Sequence, residues 1–208
     1  SNADAISAIQ NGLPDPELAQ TVQDLLDYVC LHGPPPYPSF CPQNFKLMFA
    51  TSETYTGDLG GLAGADAKCA ARAAAAGLQG TYIAWLSTDS VDARDRITDA
   101  PYRRASDNEL IAISTSDLID GSLQNAVLKD EFGTIYDEFG STTSQVWTGT
   151  LDDGTHRSGS SCSNWTVGTD NPTNQIGTTG FVSKGDDRWT YFGTNGCQTS
   201  GRLYCFEQ

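Results

Sequence analysis

The chain is poor in basic residues, in histidine and in long apolar runs. It has 12 Lys and Arg against 26 Asp and Glu over 208 residues, a net charge of -14. A surface of that sign repels nucleic acid, heparin-like polyanions and anionic lipid headgroups, so none of these is an expected partner. Nothing approaches the roughly 18 consecutive apolar residues of a membrane-spanning helix. There are two histidines, His32 and His156. A metal cluster would need carboxylates beside them, and no Gly-x-Ser-x-Gly elbow precedes either for Ser-His-Asp chemistry. The glycine-rich stretch Gly57–Gly64 lacks the Gly-Lys-Ser/Thr ending of a phosphate loop. Asp66, in the first turns of the following helix, would repel phosphate.

What the chain does have is six cysteines, at 30, 41, 69, 162, 197 and 205, with no C-x-x-C pair. An even count without that motif reads as a disulfide framework of an exported protein rather than zinc or redox chemistry. Fifteen pairings are open at this point. A free thiol for cysteine catalysis is not expected.

Three parts follow from texture. Ser1-Asn2-Ala3 reads as a remnant of tag cleavage. Residues 4–44 form an N-terminal helical extension. Asp15 caps a helix with Pro16 in its first position. Leu18, Val22, Leu25 and Val29 then recur at helical spacing. Residues 33–38 are proline-rich and extended. Cys30 and Cys41 flank them, where a local bond would act as a staple. Residues 45–208 form the main domain.

The main domain opens with a strand, Phe45 to Thr51. A helix follows from about Leu62 to Ala76, with alanine at nine of the fourteen positions from Ala63. Ala65, Cys69 and Ala76 are expected on its inner face, and Gly77 at its C-cap. Further strands are expected at Thr81–Ser87, Leu110–Ile113, Gln145–Gly149, Trp189–Phe192 and Gly201–Phe206. Polar loops separate them, with a turn at Asp152-Asp153-Gly154.

Candidate functional residues are sparse. Asp152, Asp153 and His156 share a turn and are the only weak metal candidates. Asp89, Asp92, Asp95 and Asp99 alternate with Arg94 and Arg96, which fits surface ion pairing and lacks the Gly and Glu positions of a calcium hand. Trp165, Asp170, Asn171 and Trp189 mark a candidate ligand face, since flat rings stack on sugars. Asn164-Trp165-Thr166 is a glycosylation sequon. No carboxylate pair stands out for hydrolysis.

Several stretches resemble a known family. They are Gly60–Cys69, Ala76–Tyr82 with Ala84–Ser87, Val146–Gly149, Cys162–Trp165, and Cys197 with Arg202–Glu207. In this order they resemble the endostatin domain of collagen XV/XVIII. They are still more similar to a bacterial family of unknown function, DUF1554, common in Leptospira surface proteins and lipoproteins. The resemblance covers about Phe45 to Gln208. It implies an α+β, C-type lectin-like fold: a twisted mixed sheet with flanking helices and long loops. It also implies nested disulfides Cys69–Cys205 and Cys162–Cys197, with Cys30–Cys41 left as an additional bond.

The chain departs from the proteins it resembles where they bind ligands. Endostatin binds heparin through arginines, and this chain is acidic. Endostatin's zinc histidines are near its start, where only His32 is found here. Asp170-Asn171-Pro172 has the composition of a calcium-lectin motif in another order. The expectation is a non-enzymatic binding module, secreted, periplasmic or on a bacterial outer surface as a lipoprotein. It would recognise a protein or glycan through its loop face and need no cofactor. The rival readings are a calcium-dependent lectin, a structural envelope domain and, last, an acidic-residue hydrolase.

Overall fold

The computed structural model describes residues 21, 25, 29–30, 45–136, 144–169 and 175–208. The chain forms two units, residues 1–45 and 46–208. In the first, Thr21, Leu25, Val29 and Cys30 are helical. Cys30 is disulfide-bonded. Its expected partner Cys41 and the proline-rich stretch lie outside the described residues.

The second unit is α+β. Strand β1 (Lys46–Ala50) is flanked by β8 (Tyr204–Glu207), antiparallel, and by β3 (Tyr102–Arg104), parallel. Strands β2 (Tyr82–Ala84) and β4 (Leu110–Ala112) complete a five-stranded mixed sheet in the order β2-β8-β1-β3-β4. A second, antiparallel sheet has the order β5-β6-β7, from β5 (Gln145–Trp147), β6 (Ile176–Phe181) and β7 (Gly193–Gly196). Val146 bridges to Arg202 just before β8, which ties the two sheets together.

Helix α1 (Gly61–Ala75) follows the glycine turn and packs on β2 and β8. Its buried residues are Ala65, Cys69 and Ala73, so Ala73 takes the place expected for Ala76. Three positions at four-residue spacing keep one face, whereas Ala76 is already the C-cap. Gly77, at φ +72°, then closes the helix: its N–H bonds Ala74 O and the N–H of Leu78 bonds Ala73 O. The helix's charged side chains are engaged within the unit. Asp66 accepts from Arg96 and from the Ala84 N–H, and Arg72 binds Glu131 and Glu53.

Cys69 is bonded to Cys205 across 136 positions, and Cys162 to Cys197 across 35. Both pairs match the pairing that the resemblance implies. One fixes α1 to β8, and the other fixes the late loops to the end of β7. The strand expected at Trp189–Phe192 is not formed. Asp187–Trp189 is a 3-10 turn instead, and β7 begins at Gly193. Among the described residues, no helix is long and apolar enough to cross a membrane.

Candidate functional site

Three chain segments meet beside the second disulfide: the loop at 88–95 after β2, the hairpin at 150–156 after β5, and a turn at 161–165. The backbone of the turn is unusual. Cys162, Ser163, Asn164 and Trp165 all have positive φ, at 49°, 52°, 57° and 66°. Four successive L-residues thus adopt the left-handed region, which costs each on the order of 1–2 kcal/mol.

Several contacts hold this conformation. Cys162 is tied to Cys197. The Trp165 ring is fully buried, packs at 5.9 Å from Trp147, and donates from Nε1 to Ser87 O at 2.8 Å. Gly149, at φ +66°, makes room for that ring. A Cβ there would lie 2.7 Å from Trp165 Cζ2 and 2.9 Å from Ser87 O. The Ser161 hydroxyl accepts from the Asn164 N–H.

Asn164 then reaches outward to Asp89. Its Oδ1 accepts from the Asp89 N–H at 2.8 Å, and its Nδ2 donates to Asp89 Oδ2 at 3.2 Å. Asp89 also faces His156, with Oδ1 at 3.4 Å from Nε2. The His156 N–H donates to Asp92 Oδ1 at 2.8 Å. Asp89 therefore joins all three segments. Around this junction Asp89, Ser163 and Thr166 are exposed. The junction can accept and donate hydrogen bonds through carboxylate, amide and hydroxyl groups. His156 faces a carboxylate rather than a hydroxyl or thiol, so the junction holds no activated nucleophile of the Ser-His or Cys-His kind.

The structure rearranges the candidate residues. Trp165 and Trp189 are both fully buried, so neither can offer a ring face to a ligand from solvent. This corrects their expected place on a ligand face: each ring fills the core, Trp189 against Trp85 and Tyr204. Asp170 and Asn171 lie outside the described residues. Asp152 is exposed, and Asp153 turns back on its own hairpin, accepting from the Thr155 hydroxyl and N–H. Those two bonds, chiefly the one from the hydroxyl, hold the Asp153 carboxyl below its ordinary range. The His156 ring faces Asp89 instead of these two acids, and its backbone N–H donates to Asp92. Among the described residues, no group of three or more His, Cys, Asp or Glu is placed to hold a metal ion.

A second polar cluster lies at the other end of α1. Glu131, its side chain fully buried, accepts from the Ser52 N–H, the Ser52 hydroxyl and Arg72 Nε. Arg202 donates to Thr51 O and Ser52 O and stacks on Tyr136 at 3.5 Å. Every partner is internal, which marks this cluster as a structural brace.

The sequence marks Asp89 and Asp92 as surface acids, and Asn164 as part of a sequon and of the Cys162–Trp165 stretch that carries the resemblance. A left-handed turn built without glycine carries no local signal that would have joined them. No curated protein matches the chain. Residues 52–184 do match the model of a family described as a protein of unknown function, and the chain belongs to that family, DUF1554.

Proposed function

We propose that the chain is a non-enzymatic binding module of the bacterial cell envelope or extracellular space. Its scaffold would be C-type lectin-like and similar to endostatin, and its ligand a protein or glycan held at the junction of Asp89, Ser163 and Asn164. The observation that carries this reading is the left-handed turn. Four strained L-residues in a row persist only where the surroundings over-determine them, and such strain concentrates at functional sites. Here a disulfide, a buried tryptophan and the Asn164–Asp89 clasp all hold it. The turn displays an exposed Ser163 at its apex beside exposed Asp89. The family match and the two disulfides fit a surface module of this kind.

The test is binding to a printed glycan array and to a panel of purified extracellular proteins. A specific binder should lose at least about tenfold in affinity on Ser163→Arg or Asn164→Ala, about 1.4 kcal/mol. Affinity unchanged by both substitutions would place the site elsewhere and sink the reading. Turnover of any probe that one carboxylate substitution abolishes would sink its non-enzymatic half.

A further inference from the structure

His156 has no part in the ligand contact proposed above, yet it touches the residue on which the junction turns. Its side chain is 13% exposed, and among the described residues its buried Nε2 has no hydrogen-bond partner. That nitrogen lies 3.4 Å from Asp89 Oδ1. In a neutral ring it presents either a lone pair to a carboxylate oxygen or an N–H too poorly aligned to bond. Both forfeit a hydrogen bond at a buried atom. A proton makes the ring a cation with donors on both nitrogens. The same approach then becomes an ion pair.

We propose that His156 is a proton-operated brace of the loop junction. Protonated, it holds Asp89 to the 150–156 hairpin and tightens the three segments together. Neutral, it leaves Asp89 to Asn164 alone. The other acids near it in the chain or the fold are Asp92, on the 88–95 loop, which accepts from the His156 backbone N–H, and Asp152 and Asp153, on its own hairpin. The neighbouring cations are engaged elsewhere. Arg94 pairs with Asp92 at 3.8 Å and Asp95 at 3.9 Å and donates to Asp153 O. The Arg157 guanidinium lies over the Tyr191 ring at 5.3 Å. The brace is engaged in mild acid and released as the pH rises.

The proposal rests on the binding reading only for its consequence, that a tighter junction holds a ligand longer. Its test uses the free protein, so the two can fail separately. Amide hydrogen exchange is measured at pH 5.5 and pH 8.0 and corrected for intrinsic rates. The reporters are the amides at 89 and 156, which donate to Asn164 and Asp92. Their protection should be roughly two- to fivefold higher at pH 5.5, the reach of a partly exposed ion pair. The Trp147 amide, which donates to Arg202 O, should not respond. His156→Gln should flatten the difference. Should that variant fail to fold, Asp89→Asn keeps the ring, removes the anion and should flatten it too. Equal protection at the two pH values in the unsubstituted protein, or a difference that survives Asp89→Asn, would overturn the brace.

Discussion

At the scale of single residues, the protein can bury a charge by giving it a full set of partners. Glu131 shows this most clearly. Its carboxylate has no solvent exposure, and three donors replace water: the Ser52 N–H, the Ser52 hydroxyl and Arg72 Nε. Arg72 also donates to Ser52 Oγ at 2.6 Å and lies over the Phe132 ring. Removing the carboxylate leaves these donors facing a cavity and takes the buried partner from a guanidinium that is itself mostly buried. Glu131→Ala should therefore cost roughly 3–5 kcal/mol, the range for breaking one side of a buried pair. Urea unfolding would measure it as a lower midpoint at unchanged slope. Glu53 grips the same arginine but is 59% exposed on its side chain, and Glu53→Ala should cost under about 1 kcal/mol. Equal losses from the two substitutions would contradict this account of Glu131.

Among the elements, those that carry their own pattern could be read from the sequence, and those buried by their neighbours could not. The alanine run and Gly77 announce α1 and its end to within one residue, and β1 and β4 fall inside their expected segments. Strand β3 escaped because Tyr102 is followed by Arg103 and Arg104, yet both arginines are almost fully buried. The terminal nitrogens of Arg104 bond Asp107 and Ala126 O, partners that no local pattern reveals. Strand β6 escaped because its centre is Gly177-Thr178-Thr179-Gly180, a stretch with the composition of a loop. Its burial comes from outside: Trp147 and Cys162 fill the space over Gly177. The junction was hidden for a similar reason. Its left-handed turn consists of a cysteine, a serine, an asparagine and a tryptophan, whose conformation is set by tertiary contacts. That turn gives a direct test of strain. Ser163 is exposed at φ 52°, and glycine adopts this region freely. Ser163→Gly should raise stability by up to about 1 kcal/mol, after the entropy glycine adds to the unfolded chain. A clear loss of stability would mean that the serine side chain makes a contribution larger than the strain.

Taken whole, the 46–208 unit joins a sheet around β1 to a second sheet of loops, and one disulfide ties its first helix to its last strand. The tyrosines at its centre make the entire unit sensitive to alkali. Tyr82, Tyr102 and Tyr204 are 1% exposed or less, and burial pushes each phenol well above its ordinary value. Tyr55 is pushed up to about 12, chiefly by burial and then by Glu53 beside it. In the unfolded chain these phenols ionise near 10. Above that pH the unfolded state releases protons that the folded state keeps, so it binds fewer. Stability is therefore fully present below pH 10 and falls as the pH climbs toward the folded values, by about 1.4 kcal/mol per pH unit for each withheld proton. Tyr82 separates this effect from general alkaline damage. Among the described residues its hydroxyl has no hydrogen-bond partner, so its removal leaves no donor or acceptor stranded. Tyr82→Phe should be neutral or slightly stabilising at pH 7, and it should make the decline above pH 10 shallower. Urea midpoints across that range, followed together with tyrosinate absorbance, would show both effects. An alkaline decline of the same steepness in Tyr82→Phe would mean that this phenol is not among those the folded unit keeps protonated.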